Sequence, residues 1–159
     1  MTIDLTVNGQ PRRFAGDPRT PLIDLLREDL RLTGAKAVCR EGFCGTCTVL
    51  VDGQPVPACL RPVGLLAGAE ITTVEGLAPQ GDLNPVQRAF LDHDVVQCGM
   101  CFSGMVVTLT ALLHRNTAPT RAEVKAALTG NMCRCTGYER IVDAVLSLAP
   151  ADPPTEAAR

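Results

Sequence analysis

The residues with most chemistry to offer are eight cysteines, in two sets of four. The first set reads Cys39-x4-Cys44-x2-Cys47, with Cys59 following after a strand and a turn. The second opens as Cys98-x2-Cys101 and closes as Cys133-x-Cys135, inside the stretch LTGNMCRCTGYERI of residues 128–141. Thiolate sulfur is a soft donor, suited to zinc or to iron–sulfur clusters. The start, MTIDLTV, has no basic stretch leading into an apolar core, so no secretory or twin-arginine leader is expected. Without a leader, a disulfide framework is the weaker reading and metal or redox chemistry the stronger.

Spacing separates the metals. C-x4-C-x2-C…C is the pattern of plant-type [2Fe–2S] loops. In CREGFCGTC, Gly42 and Gly45 let the backbone fold tightly and turn its amides towards the sulfurs. In the second set both cysteine pairs are expected near helix N-termini, where free amides and the helix dipole favour a negatively charged centre. Four sulfurs from two such loops can close around one small cluster. Zinc is the rival, but zinc ribbons usually pair two C-x2-C knuckles and neither set does so. Eight merely structural thiols at these spacings would be improbable. The sequence therefore predicts Cys39, Cys44, Cys47 and Cys59 as ligands of one [2Fe–2S] cluster, and Cys98, Cys101, Cys133 and Cys135 as ligands of another.

The elements that must position these sulfurs fall into two halves. Thr2–Val7 alternates as a strand, Asn8-Gly9 is a hairpin turn, and Arg12–Ala15 returns. Thr20 is expected to cap a helix over about 21–30, with Pro21 at its first position. Thr46–Val51 and Glu70–Val74 read as further strands, with the turn Asp52-Gly53 between. This is a small α+β roll. After the polar stretch 75–85, EGLAPQGDLNP, the periodicity becomes helical. Asn84-Pro85 starts a helix to about His93, and a second follows Cys101. Thr120 and Glu123 form a capping box for a third, and a fourth covers 138–149. The expected organisation is residues 1–76, a linker at 77–83, a four-helix unit at 84–149 and a disordered tail at 150–159.

Composition excludes other classes. A net charge of −2 with no basic stripe argues against nucleic-acid binding. The uncharged run 95–113 is long enough for a bilayer, but Gln97, Ser103 and its glycine and threonine breaks read as a buried helix, so no integral membrane protein is expected. No P-loop, dinucleotide glycine pattern or Ser/His/Asp arrangement is present, so no catalytic residue is assigned. His93, His114 and Glu41 read as solvated side chains.

Three stretches, CREGFCGTCTVLVDG…C, QCGMCFSGM and LTGNMCRCTGYERI, together resemble the small iron–sulfur subunit of the molybdenum hydroxylases, the family of xanthine dehydrogenase, aldehyde oxidoreductase and carbon monoxide dehydrogenase. The resemblance spans residues 2–149. It implies a β-grasp, ferredoxin-like N-terminal domain followed by a four-helix domain, each with one [2Fe–2S] cluster. It also implies an electron-transfer subunit of an oxidoreductase complex, without a substrate site of its own and cytoplasmic. Expected partners are a large subunit with molybdopterin, as the cytosine dinucleotide, and a medium subunit with FAD. Gln97 and Cys135 match the family's positions nearest the pterin. Phe102-Ser103 stands where many members have Thr-Pro, and Val38 where many have glycine; neither is a ligand position. A free-standing two-cluster ferredoxin is the alternative, and a structural zinc protein a more distant one.

Overall fold

The computed structural model describes residues 2–78 and 81–149. The expected tail 150–159 and two linker residues, 79 and 80, lie outside them.

The first unit is a five-stranded mixed sheet crossed by a short helix. Strands β1 (Ile3–Val7) and β2 (Gln10–Phe14) form a hairpin; β3 (Thr48–Val51) and β4 (Gln54–Pro57) form another; β5 (Glu70–Thr72) lies between them. The order is β2-β1-β5-β3-β4, with β1 and β5 parallel and the other pairs antiparallel. Both hairpins turn on two residues of positive φ, Asn8 (51°) and Gly9 (73°), then Asp52 (49°) and Gly53 (76°). That geometry matches the twist of the flanking strands. β2 is an edge strand whose Pro11, Arg12 and Arg13 discourage further pairing. β4, not foreseen as a strand, carries two prolines and forms the opposite edge.

The expected helix over 21–30 is shorter and differently built. Regular α-helix α1 covers only Leu22–Asp24, followed by a wider π-turn over Leu25–Asp29. Thr20 does not cap it: Pro21 stands at the N-cap in extended conformation, without a side-chain cap. The cause is tertiary. Pro21 bridges Pro62, Leu22 N donates to Arg61 O, and Thr20 O accepts from Val63 N. The wider turn brings Leu22, Ile23, Leu25 and Leu26 all into the core, against Ile3, Leu5, Val7, Val49 and Ile71. Each such side chain contributes about 1.5–3 kcal/mol by leaving water.

The second unit has four helices: α2 (Pro85–Asp92), α3 (Phe102–Arg115), α4 (Arg121–Ala127) and α5 (Glu139–Leu146). Asn84 with Gln87 and Thr120 with Glu123 form complete capping boxes. Val86, Phe90, Met105, Val106, Leu109, Val124, Ile141 and Val142 make its core. Val74 and Leu77, from a 3₁₀ turn after β5, pack against this core, so the chain leaves the sheet by joining the helices. Among the described residues no helix is long and apolar enough to cross a membrane.

A third, small cluster joins the halves. Leu50 of β3 packs on Val107 and Ala111 of α3, while its neighbour Val49 faces the first core. β3 is therefore buried on both faces, as TVLV, a run with no polar alternation, suggests.

Candidate metal centres

The first sulfur set lies in the loop between the π-turn and β3, and in the 3₁₀ turn after β4 that holds Cys59. Cys44, Cys47 and Cys59 are buried and Cys39 half-buried. Backbone amides point inward: Glu41 N and Cys44 N each donate to Cys39 Sγ at 3.4 Å, and Gly42 N to Cys59 Sγ at 3.3 Å. This requires the left-handed backbone of Gly42 (φ 72°) and Gly45 (φ 69°). A Cβ on Gly42 would also lie 2.2 Å from Leu60 Cδ1. Arg40 ties the loop to α1 by an ion pair with Asp24 at 2.8 Å. The amides of Glu41 and Cys44 draw the Cys39 thiol down to about 6, whereas burial pushes Cys47 up to about 11.

The second set joins two loops. Cys98 and Cys101 occupy the turn before α3, with Cys101 at its N-cap; Cys133 and Cys135 occupy the segment before α5. The expectation of helix-terminal donors holds in place rather than in detail. Three residues, Thr136–Tyr138, separate Cys135 from α5, and Cys133 Sγ instead accepts from the Thr136 hydroxyl at 3.1 Å. Cys98 Sγ and Cys135 Sγ lie 3.6 Å apart. The Met100 amide lowers Cys98 from the ordinary thiol value, while the neighbouring Cys98 raises Cys135. Burial pushes Cys101 up to about 12. For Cys133 burial opposes ionisation, but the bonds from Thr136 prevail and lower it.

The sulfurs of each set thus sit in one neighbourhood, with amides aimed at Cys39 and Cys59 in the first and with Cys98 and Cys135 in contact in the second. Four thiol donors in each set, with amides aimed at those of the first, would hold a [2Fe–2S] cluster and fit that group. Loading would displace the remaining thiol protons.

All four cysteines of the second set line one recess, walled by Phe90, Val95, Phe102 and Ile141. Gln97 lines it too and is exposed, as are Cys98 and Cys135. Val96, Met100 and Met132 are exposed apolar residues near this rim; Val38, Phe43 and Leu60 are exposed on or beside the first loop. Glu41 and His114 are exposed, and His93 is exposed with its ring bonded to Ser147 Oγ at 3.1 Å.

Sequence reasoning missed the residues that join the two sets. Met132 N donates to Cys44 O at 2.9 Å, and Asn131 Nδ2 to Gly45 O at 3.2 Å. A Cβ on Gly104 would lie 2.0 Å from Gly45 O, and one on Gly45 would lie 2.1 Å from Gly130 O. One signal was available: glycine inside a helix costs about 1 kcal/mol relative to alanine, which hints at a close backbone approach.

Comparison with known proteins follows this division. Residues 5–70 match the model of a 2Fe-2S iron-sulfur cluster binding domain, and residues 73–146 that of a [2Fe-2S] binding domain. The nicotine 6-hydroxylase small subunit of Paenarthrobacter nicotinovorans is 49% identical over 92% of this chain and 88% of its own. The xanthine dehydrogenase iron-sulfur-binding subunit of Escherichia coli O157:H7 is 45% identical over 92% of each. Quinoline 2-oxidoreductase of Pseudomonas putida 86 superposes with a TM-score of 0.89 at 47% identity, over 94% of this chain and 92% of the matched one.

Proposed function

The chain belongs to the small iron–sulfur subunits of the molybdenum hydroxylases and is an electron-transfer component of an oxidoreductase complex, and on that premise we propose how its residues serve the transfer. It has two [2Fe–2S]-binding domains. We assign Cys39, Cys44, Cys47 and Cys59 to one cluster and Cys98, Cys101, Cys133 and Cys135 to the other. The observation that carries this is the gathering of each set, the first around amides aimed at Cys39 and Cys59, the second with all four cysteines lining one recess. When bound, a [2Fe–2S] cluster supplies a one-electron relay.

The chain's own residues hold, insulate and orient. Amides of Glu41, Gly42 and Cys44 offer hydrogen bonds that favour negative charge on the first set. The exposed amide of Gln97 and sulfur of Cys135, at one rim, suit a pterin edge presented by a large molybdopterin subunit, as the cytosine dinucleotide. Electrons then enter at the second set and leave at the first, towards a medium FAD subunit that covers Val38, Phe43 and Leu60. Residues 1–76 form the unit of the outgoing centre, 84–149 that of the incoming one, with 77–83 between. Thiolate ligands that must stay reduced until loaded suit the cytoplasm.

The test is isolation of the complex. Expected are about four irons and four acid-labile sulfides in this subunit, with two distinct EPR signals on reduction, and molybdenum in a co-purifying large chain. Zinc without iron, or a stable monomer with no molybdenum-bearing partner, would overturn the proposal.

A further inference from the structure

Tyr138 is the chain's single tyrosine, and its backbone is left-handed, with φ 68°. A non-glycine residue adopts that region at a cost, and such strain persists where surrounding structure imposes it. Its ring packs against the second core, a task phenylalanine would perform equally. The hydroxyl does more. It accepts from Cys133 N at 2.7 Å and donates to Asn131 O at 3.2 Å, using its one donor and one acceptor site.

Both partners lead onward. Asn131 is buried, at 4% exposure, and its Nδ2 donates to Gly45 O in the other sulfur loop. Between Asn131 and Cys133, Met132 N donates to Cys44 O at 2.9 Å. Three hydrogen-bonded residues thus run from the first loop to the second, and Tyr138 closes their far end.

We infer that Tyr138 is a positioning residue whose hydroxyl fixes the Asn131–Cys133 segment, and with it the second sulfur set, against the Cys44 loop of the neighbouring unit. The inference rests on the assignment of Cys133 as a ligand. Its consequence is redox tuning. With the hydroxyl gone, the Cys133 amide is free to turn towards sulfur, and hydrogen bonding around the sulfurs sets reduction potential.

The test uses the complete complex carrying Tyr138→Phe, which keeps the ring, beside Asn131→Ala, which removes the side-chain bond but leaves the carbonyl that Tyr138 uses. Iron and sulfide content is measured first, then both EPR signals are followed through a redox titration. Tyr138→Phe is expected to keep about four irons and to shift the midpoint and line shape of one signal, leaving the other in place. Asn131→Ala should move that midpoint less. Selective loss of one cluster in Tyr138→Phe would be the stronger form of the same result. Unmoved signals in an iron-loaded variant, equal movement of both, loss of both clusters, or a larger shift in Asn131→Ala would overturn the inference alone. A parent complex without iron would overturn the ligand assignment together with it.

Discussion

Met132 N donates to Cys44 O at 2.9 Å, so the residue next to Cys133 in one sulfur set is hydrogen-bonded to a cysteine of the other. Backbone meets backbone here, beside the bond from Asn131 Nδ2 to Gly45 O. Such closeness needs glycine on both sides, at Gly45 and Gly104.

Gly104→Ala therefore tests the junction. Its methyl would meet Gly45 O at 2.0 Å, backbone that cannot swing aside like a side chain. Overpacking of this kind costs about 1–3 kcal/mol, a fall in melting temperature of about 3–10 °C for a chain of this size. Thermal melting of the loaded subunit measures it. An unchanged melting temperature would show that the two units adjust freely.

Thr136→Val removes the hydroxyl that donates to Cys133 Sγ at 3.1 Å. A hydrogen bond to sulfur favours the more negative, reduced state, so its loss should lower the midpoint of the second centre while the first keeps its own. A potentiometric EPR titration reads both at once. A rise in the second midpoint would contradict the assignment of that bond.

Thiol reactivity after iron removal should be graded with pH. The thiolate is the nucleophile. Cys39, drawn down to about 6 by the amides of Glu41 and Cys44, is mostly ionised at neutral pH, whereas Cys47 and Cys101, pushed up by burial to about 11 and about 12, are not. Alkylation of Cys39 should rise as pH passes upward through about 6 and precede both others at neutral pH. Mass spectrometry of the labelled peptides checks this, and uniform labelling would refute it.

Phe43 is 70% exposed on the first sulfur loop, with Leu60 and Val38 exposed nearby. Phe43→Asp should leave iron content intact and weaken association with the proposed flavin subunit by about 2 kcal/mol, roughly 30-fold. Binding of the separated subunits measures the change. Unaltered affinity would move the docking face elsewhere.

Much of this could be read from residue order, for local reasons. Asn8-Gly9 and Asp52-Gly53 specify their turns because positive φ at two successive residues suits these types. Asn84 with Gln87 and Thr120 with Glu123 cap their helices through contacts three residues apart. The cysteine spacings are local in the same sense, since a loop of given length can bring its sulfurs together only in certain ways. Thr20 was misread because its carbonyl and the neighbouring Pro21 are recruited by residues 61–63, which no local rule reports. β4 escaped because its two prolines resemble a turn more than a strand.

The sequence by itself determined the order and spacing of the cysteines, the two kinds of unit that carry them and the family to which the chain belongs, because those depend on residue type and short-range spacing. Only the tertiary structure decided how one set stands against the other. Gly45 against Gly104, Asn131 on Gly45 O and Tyr138 on Cys133 N join residues from separate segments of the chain. Contacts of that kind arise from packing two cores across Leu50, Val107 and Ala111, and spacing along the chain carries no measure of them.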